Sequence, residues 1–260
     1  MTAHLAALAF KAHDPLRLAR FWAGVLGWET ADDPHGGVTL LPDPDDDTGF
    51  RIRFVASQEE KTKQNQMHFD LTSSSWEDQQ RTVAGALELG GRPIDVGQGP
   101  DAAHVVLADP EGNEFCVIEP GNAFLAECGF IGALASDGSQ EVGYFWSRAL
   151  EWPLVWDQDQ ETAIRSPHGG PKITWGGPPV APKTGPNRLL FELTPGPGGD
   201  VQAEVERLVA LGATRLGPGD GSGGSEGSEG SDGSGASGGS GAVAMADPDG
   251  NEFFVYAPAE

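Results

Sequence analysis

The sequence predicts an α+β protein built from tandem strand–helix–strand–strand–strand modules in a duplicated chain. The clearest sign is a twelve-residue segment that occurs twice, as DPEGNEFCVIEP at Asp109–Pro120 and as DPDGNEFFVYAP at Asp247–Pro258. Asp-Pro followed by Gly-Asn is typical of a tight turn, and the aromatic and β-branched residues after it favour a strand. A second sign is the alternation of strand-like and helix-like apolar spacing before each copy.

The first module begins with a predicted strand and a capped helix. Asp14 is suited to the N-cap, Pro15 to the first helical position and Gly27 to the C-terminal stop. Between these two ends the helix has one apolar stripe, formed by Leu18, Phe21, Trp22, Val25 and Leu26. The predicted elements are, in order, a strand at Leu5–Ala12, a helix at Leu16–Leu26 and strands at Gly37–Leu41 and Phe50–Ala56.

The same order returns three more times along the chain. A second module has a strand at Met67–Leu71, a helix at Trp76–Leu89 with Ser75 as its N-cap, and strands near 93–96 and 103–108 before the first copy of the repeated turn. Phe145-Trp146 then echoes Phe21-Trp22, and Lys183 and Asn187 echo Lys61 and Asn65. We therefore expect one domain at residues 1–122 and a second at residues 123–260.

The second domain carries an insertion that the first lacks. Residues 217–242 are rich in Gly and Ser with scattered acidic residues. Such a segment buries too little apolar surface to offset the entropy of ordering it. We expect a disordered loop without a chemical role, since it also lacks the lysine of a phosphate-binding loop.

Charge and cysteine content exclude several classes of function. The net charge of −23 opposes binding to nucleic acid and to anionic membranes. No apolar run is long enough to span a membrane. The two cysteines do not form a disulfide framework, so a cytoplasmic protein is expected.

Three motifs in this order carry a family resemblance. They are Phe-Trp before Leu-Gly-Trp (Phe21-Trp22, Leu26-Gly27-Trp28), the Lys61…Asn65…His68…Asp70-Leu71 strand, and the turn at Asp109–Val117. Four such modules resemble the vicinal oxygen chelate superfamily, which includes glyoxalases, bleomycin-resistance proteins and dioxygenases. The resemblance implies two curved, mostly antiparallel sheets, each enclosing a cavity and backed by helices.

The resemblance also implies where a metal would bind, and most of those positions have lost their ligands. In metal-dependent members the ligands stand in each module's first strand and, as Glu, in its last strand. The matching positions here are Ala7, His68, Cys116, Phe130, Leu190 and Phe254. We therefore expect no metal and no cofactor. The second domain, with only apolar residues at its matching positions, is expected to bind nothing small and polar.

Strand alternation places polar residues together in the first domain. Arg51 and Arg53 share one strand face, as do His68 and Asp70, and as do Glu114 and Cys116. If these are cavity faces, the predicted ligand-binding set is Arg51, Arg53, His68, Asp70, Glu114 and Cys116. The alternative is that Arg51–Asp70 and Arg53–Glu114 are internal salt bridges with no role in binding.

His68 and Cys116 are the candidate catalytic residues. Histidine is a common general base, and a cysteine is nucleophilic where a neighbouring cation stabilises its thiolate. The alternatives are a hydrogen-bonded structural histidine and a cysteine buried as a small apolar residue.

Two functions follow from the sequence. The first is a non-catalytic protein that binds a small, partly anionic organic molecule in the first domain. The alternative is a lyase, isomerase or dioxygenase-type enzyme that uses a residual metal or a metal-free His/Cys/Arg site. The quaternary structure is either a monomer with pseudo-twofold domains or a homodimer.

Overall fold

The computed structural model describes residues 3–33, 36–43, 49–99, 101–217 and 242–257. The predicted Gly/Ser-rich loop at 217–242 lies outside the described residues except for its two end positions. Within the described ranges, four helices and sixteen strands follow the predicted modular order.

The first helix shows that its boundaries are set locally. Helix α1 begins at Pro15, where the Asp14 carboxylate accepts a hydrogen bond from the Arg17 backbone N–H at 3.0 Å. It ends at Gly27, whose φ of 73° is the left-handed conformation that glycine adopts without strain. The first module contains β1 (His4–Ala12), α1 (Pro15–Leu26), β2 (Glu29–Asp32), β3 (Val38–Leu41) and β4 (Arg51–Ala56).

Strand β2 was not predicted from the sequence, because Glu29–Asp32 is polar and carries no apolar alternation.

The other three modules repeat the order of the first. The second has β5 (Met67–Leu71), α2 (Trp76–Glu88), β6 (Arg92–Pro93), β7 (Val105–Ala108) and β8 (Glu114–Val117). The third has β9 (Ile131–Ser136), α3 (Gln140–Leu150), β10 (Leu154–Gln158), β11 (Glu161–Arg165) and β12 (Lys172–Trp175). The fourth has β13 (Leu189–Thr194), α4 (Val201–Leu211), β14 (Thr214–Arg215), β15 (Val243–Ala246) and β16 (Glu252–Val255).

Strand pairing joins modules from different halves of the chain. One sheet, named sheet I, has the order β14-β15-β16-β13-β1-β4-β3-β2 and so contains the first and fourth modules. The other, sheet II, has the order β10-β11-β12-β9-β5-β8-β7-β6 and contains the second and third modules. Each sheet therefore crosses the expected division at residues 122 and 123, and that division stays a prediction.

The two sheets are mostly antiparallel. Among the described strands, parallel pairs occur only where the first strand of a module meets its last strand. The modules join through antiparallel pairs, β1 with β13 in sheet I and β5 with β9 in sheet II. The predicted class, an α+β fold of curved, mostly antiparallel sheets backed by helices, is confirmed.

The helices pack on one face of each sheet and tie together modules that do not share a sheet. The Trp22 ring of α1 packs against the rings of Phe69 and Phe115, both in the second module, with centroid–centroid distances of 4.9 Å and 5.0 Å. Trp146 of α3 makes the same contacts in the fourth module, 4.8 Å from Phe191 and 5.0 Å from Phe253. The first and second modules therefore share an apolar core, although their strands belong to different sheets.

The repeated turn holds this core in place. The Asp109 carboxylate accepts hydrogen bonds from the backbone N–H groups of Glu111 and Asn113, and from the Trp22 indole at 3.2 Å. The Asp247 carboxylate likewise accepts a hydrogen bond from the Trp146 indole N–H at 3.1 Å. Burial raises the pKa of both carboxyls to about 6, against the effect of these hydrogen bonds. The motif is thus a structural anchor in both halves.

Each sheet has a second face, turned away from the helices, which is called the cup face below. In β4, Ile52 and Phe54 belong to the helix-side core, so Arg51, Arg53 and Val55 lie on the cup face. None of the helices in the described ranges is both long and apolar enough to cross a membrane.

Candidate functional site

The structure separates the six residues of the predicted ligand set. Arg51 and Arg53 lie in β4 of sheet I, whereas the other four lie in β5 and β8 of sheet II. A single first-domain cavity containing all six, as the sequence predicted, does not form. The reason is that the first module shares its sheet with the fourth module rather than with the second.

Arg53 is committed to a buried ion-pair network in sheet I. Its Nε lies 2.5 Å from Asp33 Oδ2, and its Nη1 lies 2.7 Å from Glu192 Oε1. The Tyr256 ring lies 5.8 Å from the guanidinium, within cation–π range. Although burial opposes the charge, hydrogen bonds to Asp33 and Glu192 raise the pKa of Arg53 above its ordinary value. The guanidinium thus binds protein groups.

The predicted salt bridges do not form either. Arg53 pairs with Asp33 and Glu192 in place of Glu114. Arg51 is exposed and lies in a different sheet from Asp70. Arg53 therefore does form internal ion pairs, but with Asp33 and Glu192 and not with the predicted partner Glu114.

His68, Asp70 and Cys116 form a compact cluster on the cup face of sheet II. Asp70 and Cys116 are directly paired residues of the parallel strands β5 and β8. His68 Nε2 lies 3.4 Å from Asp70 Oδ1. One donor atom from each of the three residues lies within 4.8 Å of the other two.

The cluster keeps Cys116 in its neutral form. Burial, followed by the charge of Asp70 and a hydrogen bond with it, raises the pKa of the thiol well above its ordinary value. The arginines that could have stabilised a thiolate lie in the other sheet. Cys116 is therefore poorly suited to act as a nucleophile unless a bound cation lowers this pKa.

Glu114 has a structural partner. Its Oε1 lies 2.5 Å from Lys61 Nζ, and its Oε2 accepts the Asn65 backbone N–H at 3.1 Å. The fourth module repeats this arrangement, with Glu252 2.6 Å from Lys183 Nζ. The Lys…Asn motif therefore joins the start of a module's first strand to the repeated turn, and Glu114 is anchored by it.

A cavity of about 390 Å³ opens beside the cluster. His68, Cys116 and Glu114 line it from sheet II. Further lining residues come from the segment before β5 (Lys63, Gln64, Asn65, Gln66), from the loop after β12 (Pro179, Val180, Ala181) and from the fourth module (Lys183, Asn187, Asp249, Asn251). The cavity thus lies where the second, third and fourth modules meet.

Lys63 and the loop at 179–181 were not predicted from the sequence. Lys63 has no ion pair with any residue in the described ranges and lines the cavity. Its one sequence signal is that it is a lysine two positions after the motif lysine Lys61. The loop residues become visible only through strand pairing, because the third module shares sheet II with β5.

The segment that joins the two halves also lies on the cup face of sheet II. Leu125, which is 4 % exposed, forms an apolar cluster with Val106, Cys116, Ile118 and Ala133. The Arg165 and Lys172 side chains donate hydrogen bonds to backbone carbonyls of Glu127 and Phe124. Protein atoms therefore fill part of the cup beside the cavity.

The positions at which the family resemblance implies metal ligands are also divided between the two sheets, with His68 and Cys116 in sheet II. Ala7 and Leu190 lie in the paired strands β1 and β13 of sheet I, and Phe254 lies in β16. Phe130 precedes β9 and packs against the helix-side core, so counting along the sequence misplaced that position. On β9 the residue paired with His68 is Ala135, which supplies no ligand atom.

Comparisons with known proteins agree with this architecture. A family model described as a glyoxalase-like domain matches residues 7–118 and again residues 133–256. Glyoxalase I from Zea mays has a similar structure, with a TM-score of 0.60 and 14 % identity over 98 % of this chain and 92 % of that one. A putative dioxygenase from Bacillus subtilis gives a TM-score of 0.58 and 11 % identity over 100 % and 87 % of the two chains. A comparison with curated protein sequences gives no significant match.

Two repeats of one domain, folded into paired cups, define a tandem member of the vicinal oxygen chelate superfamily. Because the family model covers most of both halves, the chain belongs to the glyoxalase-like domain family. The structural matches are too distant in sequence to show more than the fold. A shared fold does not by itself assign a reaction.

Proposed function

We propose that this protein binds a small organic molecule in the cavity of sheet II that is lined by His68 and Cys116, beside Asp70. The observation that carries the proposal is the 390 Å³ cavity into which His68 and Cys116 face together. Cavities of this size that combine apolar walls with a few polar groups are the usual form of small-molecule sites. Sheet I differs, since Arg53 and its partners occupy its cup face.

One lining residue, Lys63, favours a partly anionic ligand, since the three lining carboxylates (Glu114, Asp137 and Asp249) each accept hydrogen bonds from protein groups. The Lys63 ammonium is a donor without an acidic partner among the described residues, so it suits a carboxylate or phosphate. Val96 and Val106 add apolar surface to the lining, and Val106 is directly paired with Cys116. His68 can donate or accept a hydrogen bond between these regions. Lys63 thus takes the role that the sequence had given to Arg51 and Arg53.

A thermal-shift screen with a panel of small organic acids and their neutral amides tests this function. An acid that raises the Tm of the wild-type protein should lose most of its effect in Lys63→Gln and in His68→Ala. Arg51→Gln is the matched control, because Arg51 lies on the cup face of the other sheet. The proposal fails if both cavity variants respond to the acid as strongly as Arg51→Gln does.

A second candidate function is metal-dependent catalysis at the same cluster. An imidazole, a carboxylate and a thiol within 4.8 Å of one another fit a transition-metal cation such as Zn²⁺ and leave a position open for substrate. Such a cation, when bound, would act as a Lewis acid. The protein's own contribution would be to hold His68 and Asp70 in contact and to give up the Cys116 proton.

Cobalt titration separates this candidate from simple ligand binding. Co²⁺ bound by a thiolate gives an intense charge-transfer absorption, which we would expect in the wild-type protein and in Cys128→Ser but not in Cys116→Ser. Cys128 is a suitable control because it is the second cysteine of the chain and lies outside the cluster. Absence of the band in all three proteins at millimolar Co²⁺ would count against the metal function.

A further inference from the structure

We infer that the third-module half of sheet II contains a second binding site, which takes a planar aromatic molecule with an anionic group. A separate, open cavity of about 680 Å³ lies there. Its lining includes Phe124, Trp156, Glu161, Lys172 and Thr174, none of which lines the cavity beside His68. This site does not depend on the proposed function of the first cavity.

Strand register shows that the key side chains face the cup. Trp156 in β10 is paired with Ala163 in β11, and the neighbouring Ile164 belongs to the helix-side core. Lys172 and Thr174 in β12 alternate with the core residues Ile173 and Trp175. Trp156, Lys172 and Thr174 are therefore on the cup face, together with Ala163.

The aromatic character of the ligand follows from two rings at the cavity. Phe124, from the segment joining the two halves, meets Trp156 edge-to-face with ring centroids 5.8 Å apart. Both rings line the cavity, and flat apolar molecules pack well against aromatic side chains. The exposed neighbour Val155 extends the apolar lining.

An unsatisfied donor points to a hydrogen-bonded ligand. The Trp156 Nε1 atom is shielded from solvent and has no hydrogen-bond partner among the residues that the structure describes. By contrast, the indoles of Trp22 and Trp146 each donate to a buried aspartate. A buried N–H without an acceptor is costly, so a rotation of the indole that brings Nε1 to a ligand acceptor in the cavity would recover that free energy.

The charge comes from Lys172. Its ammonium lies over the Phe124 ring, 4.1 Å from the centroid, and donates to the Phe124 carbonyl. In the described ranges it has no acidic partner, although the chain has a net charge of −23. Of its three N–H donors, one has a hydrogen-bond partner among the residues that the structure describes, which leaves two for an anion. Glu161 is the one carboxylate in the lining, and its side chain is exposed to solvent. We therefore place the anionic group of the ligand beside Lys172.

The test uses 1-naphthoate, a planar aromatic carboxylate, with 1-naphthamide as its neutral counterpart. The intact protein is labelled with ¹⁵N at the indole nitrogens of its seven tryptophans, and Trp156→Phe assigns the Trp156 resonance. We expect 1-naphthoate to shift that resonance saturably. Trp156→Phe, which keeps an aromatic ring but removes the donor, should weaken binding about tenfold, as measured by equilibrium dialysis because this variant lacks the Trp156 resonance. Trp76→Phe, at an exposed tryptophan, should leave it unchanged.

A second variant isolates the charge. Lys172→Gln keeps a donor for the Phe124 carbonyl, and it should weaken 1-naphthoate about tenfold or more without changing the affinity of 1-naphthamide. His68→Ala should bind both compounds as the wild type does. The inference is overturned if the Trp156 resonance does not move at millimolar 1-naphthoate. It is equally overturned if His68→Ala abolishes binding while Trp156→Phe and Lys172→Gln do not.

Discussion

The two cups share one scaffold but are filled differently. In sheet I, Arg53 pairs in register with Ala9 of the first strand of its module; in sheet II, Cys116 pairs in register with Asp70. Arg53 joins Asp33 and Glu192 in a buried ionic network. Cys116 and Asp70 instead adjoin a cavity and the apolar cluster around Leu125. Equivalent positions thus form a buried ionic network in one cup and border a cavity in the other.

This difference shows why polar cup residues do not by themselves identify a binding site. Arg53 is a cation on a cup face, as an anion-binding residue would be. Its charge is already balanced by two carboxylates, each less than a tenth exposed. Lys63 and Lys172 are better candidates because no described carboxylate pairs with them.

The largest effect is expected from breaking the ionic network of sheet I. Arg53→Met leaves Asp33 and Glu192 buried together without a cation, and should lower the free energy of unfolding by about 3–5 kcal/mol. Urea denaturation measures this change. Arg51→Met, at the exposed neighbour on the same face, should change stability by less than about 0.5 kcal/mol. A similar small effect for both variants would mean that the network does not stabilise sheet I.

The corresponding change in sheet II removes its apolar filling. Leu125→Ala should destabilise the protein by about 2–3 kcal/mol, the lower part of the range for buried leucines, because a loop segment is free to collapse around the space. The same denaturation assay applies. Val180→Ala, at an exposed residue that lines the first cavity, is the control. A loss below about 1 kcal/mol would show that the joining segment is not part of the cup's core.

The repeated aspartates predict that both halves respond alike to pH. Burial raises the pKa of Asp109 and Asp247 from 3.8 to about 6, so the folded protein binds their protons more tightly than the unfolded chain does. The stability that these two carboxyls contribute is complete below pH 3.8, and it is lost as the pH rises through about 6. Asp109→Asn should remove at most about 1.4 kcal/mol per pH unit of this slope, and Asp247→Asn a similar amount. Unequal changes in slope, measured by denaturation from pH 4 to pH 7, would show that the two anchors differ.

The smallest effect concerns the reactivity of the two thiols. Cys116 is buried beside Asp70, which raises the pKa of its thiol, whereas Cys128 is partly exposed. Iodoacetamide at pH 7.4 should therefore modify Cys128 well before Cys116, as followed by mass spectrometry of Cys116→Ser and Cys128→Ser. Faster modification of Cys116 would indicate a stabilised thiolate and would revive its predicted role as a nucleophile.

The sequence was sufficient for the elements and for part of the site. Asp14, Pro15 and Gly27 placed the first helix because caps act through neighbouring residues. His68, Asp70 and Cys116 were expected on a common face, and the structure brings them together. These three meet because β5 and β8 are paired strands of one module, whereas the predicted set of six is divided between two sheets. Their catalytic and binding roles stay predictions.

The sequence by itself determined the duplication, the order of strands and helices, and the turn that each half repeats. These features depend on local hydrogen bonding and on apolar periodicity, both of which can be seen in short segments. Only the tertiary structure decided which modules share a sheet, and therefore that Arg53 lies opposite Glu192 rather than beside Glu114. The physical reason is that β1 meets β13 through contacts between residues far apart in the chain. No local pattern records which of several similar strands will become the partner.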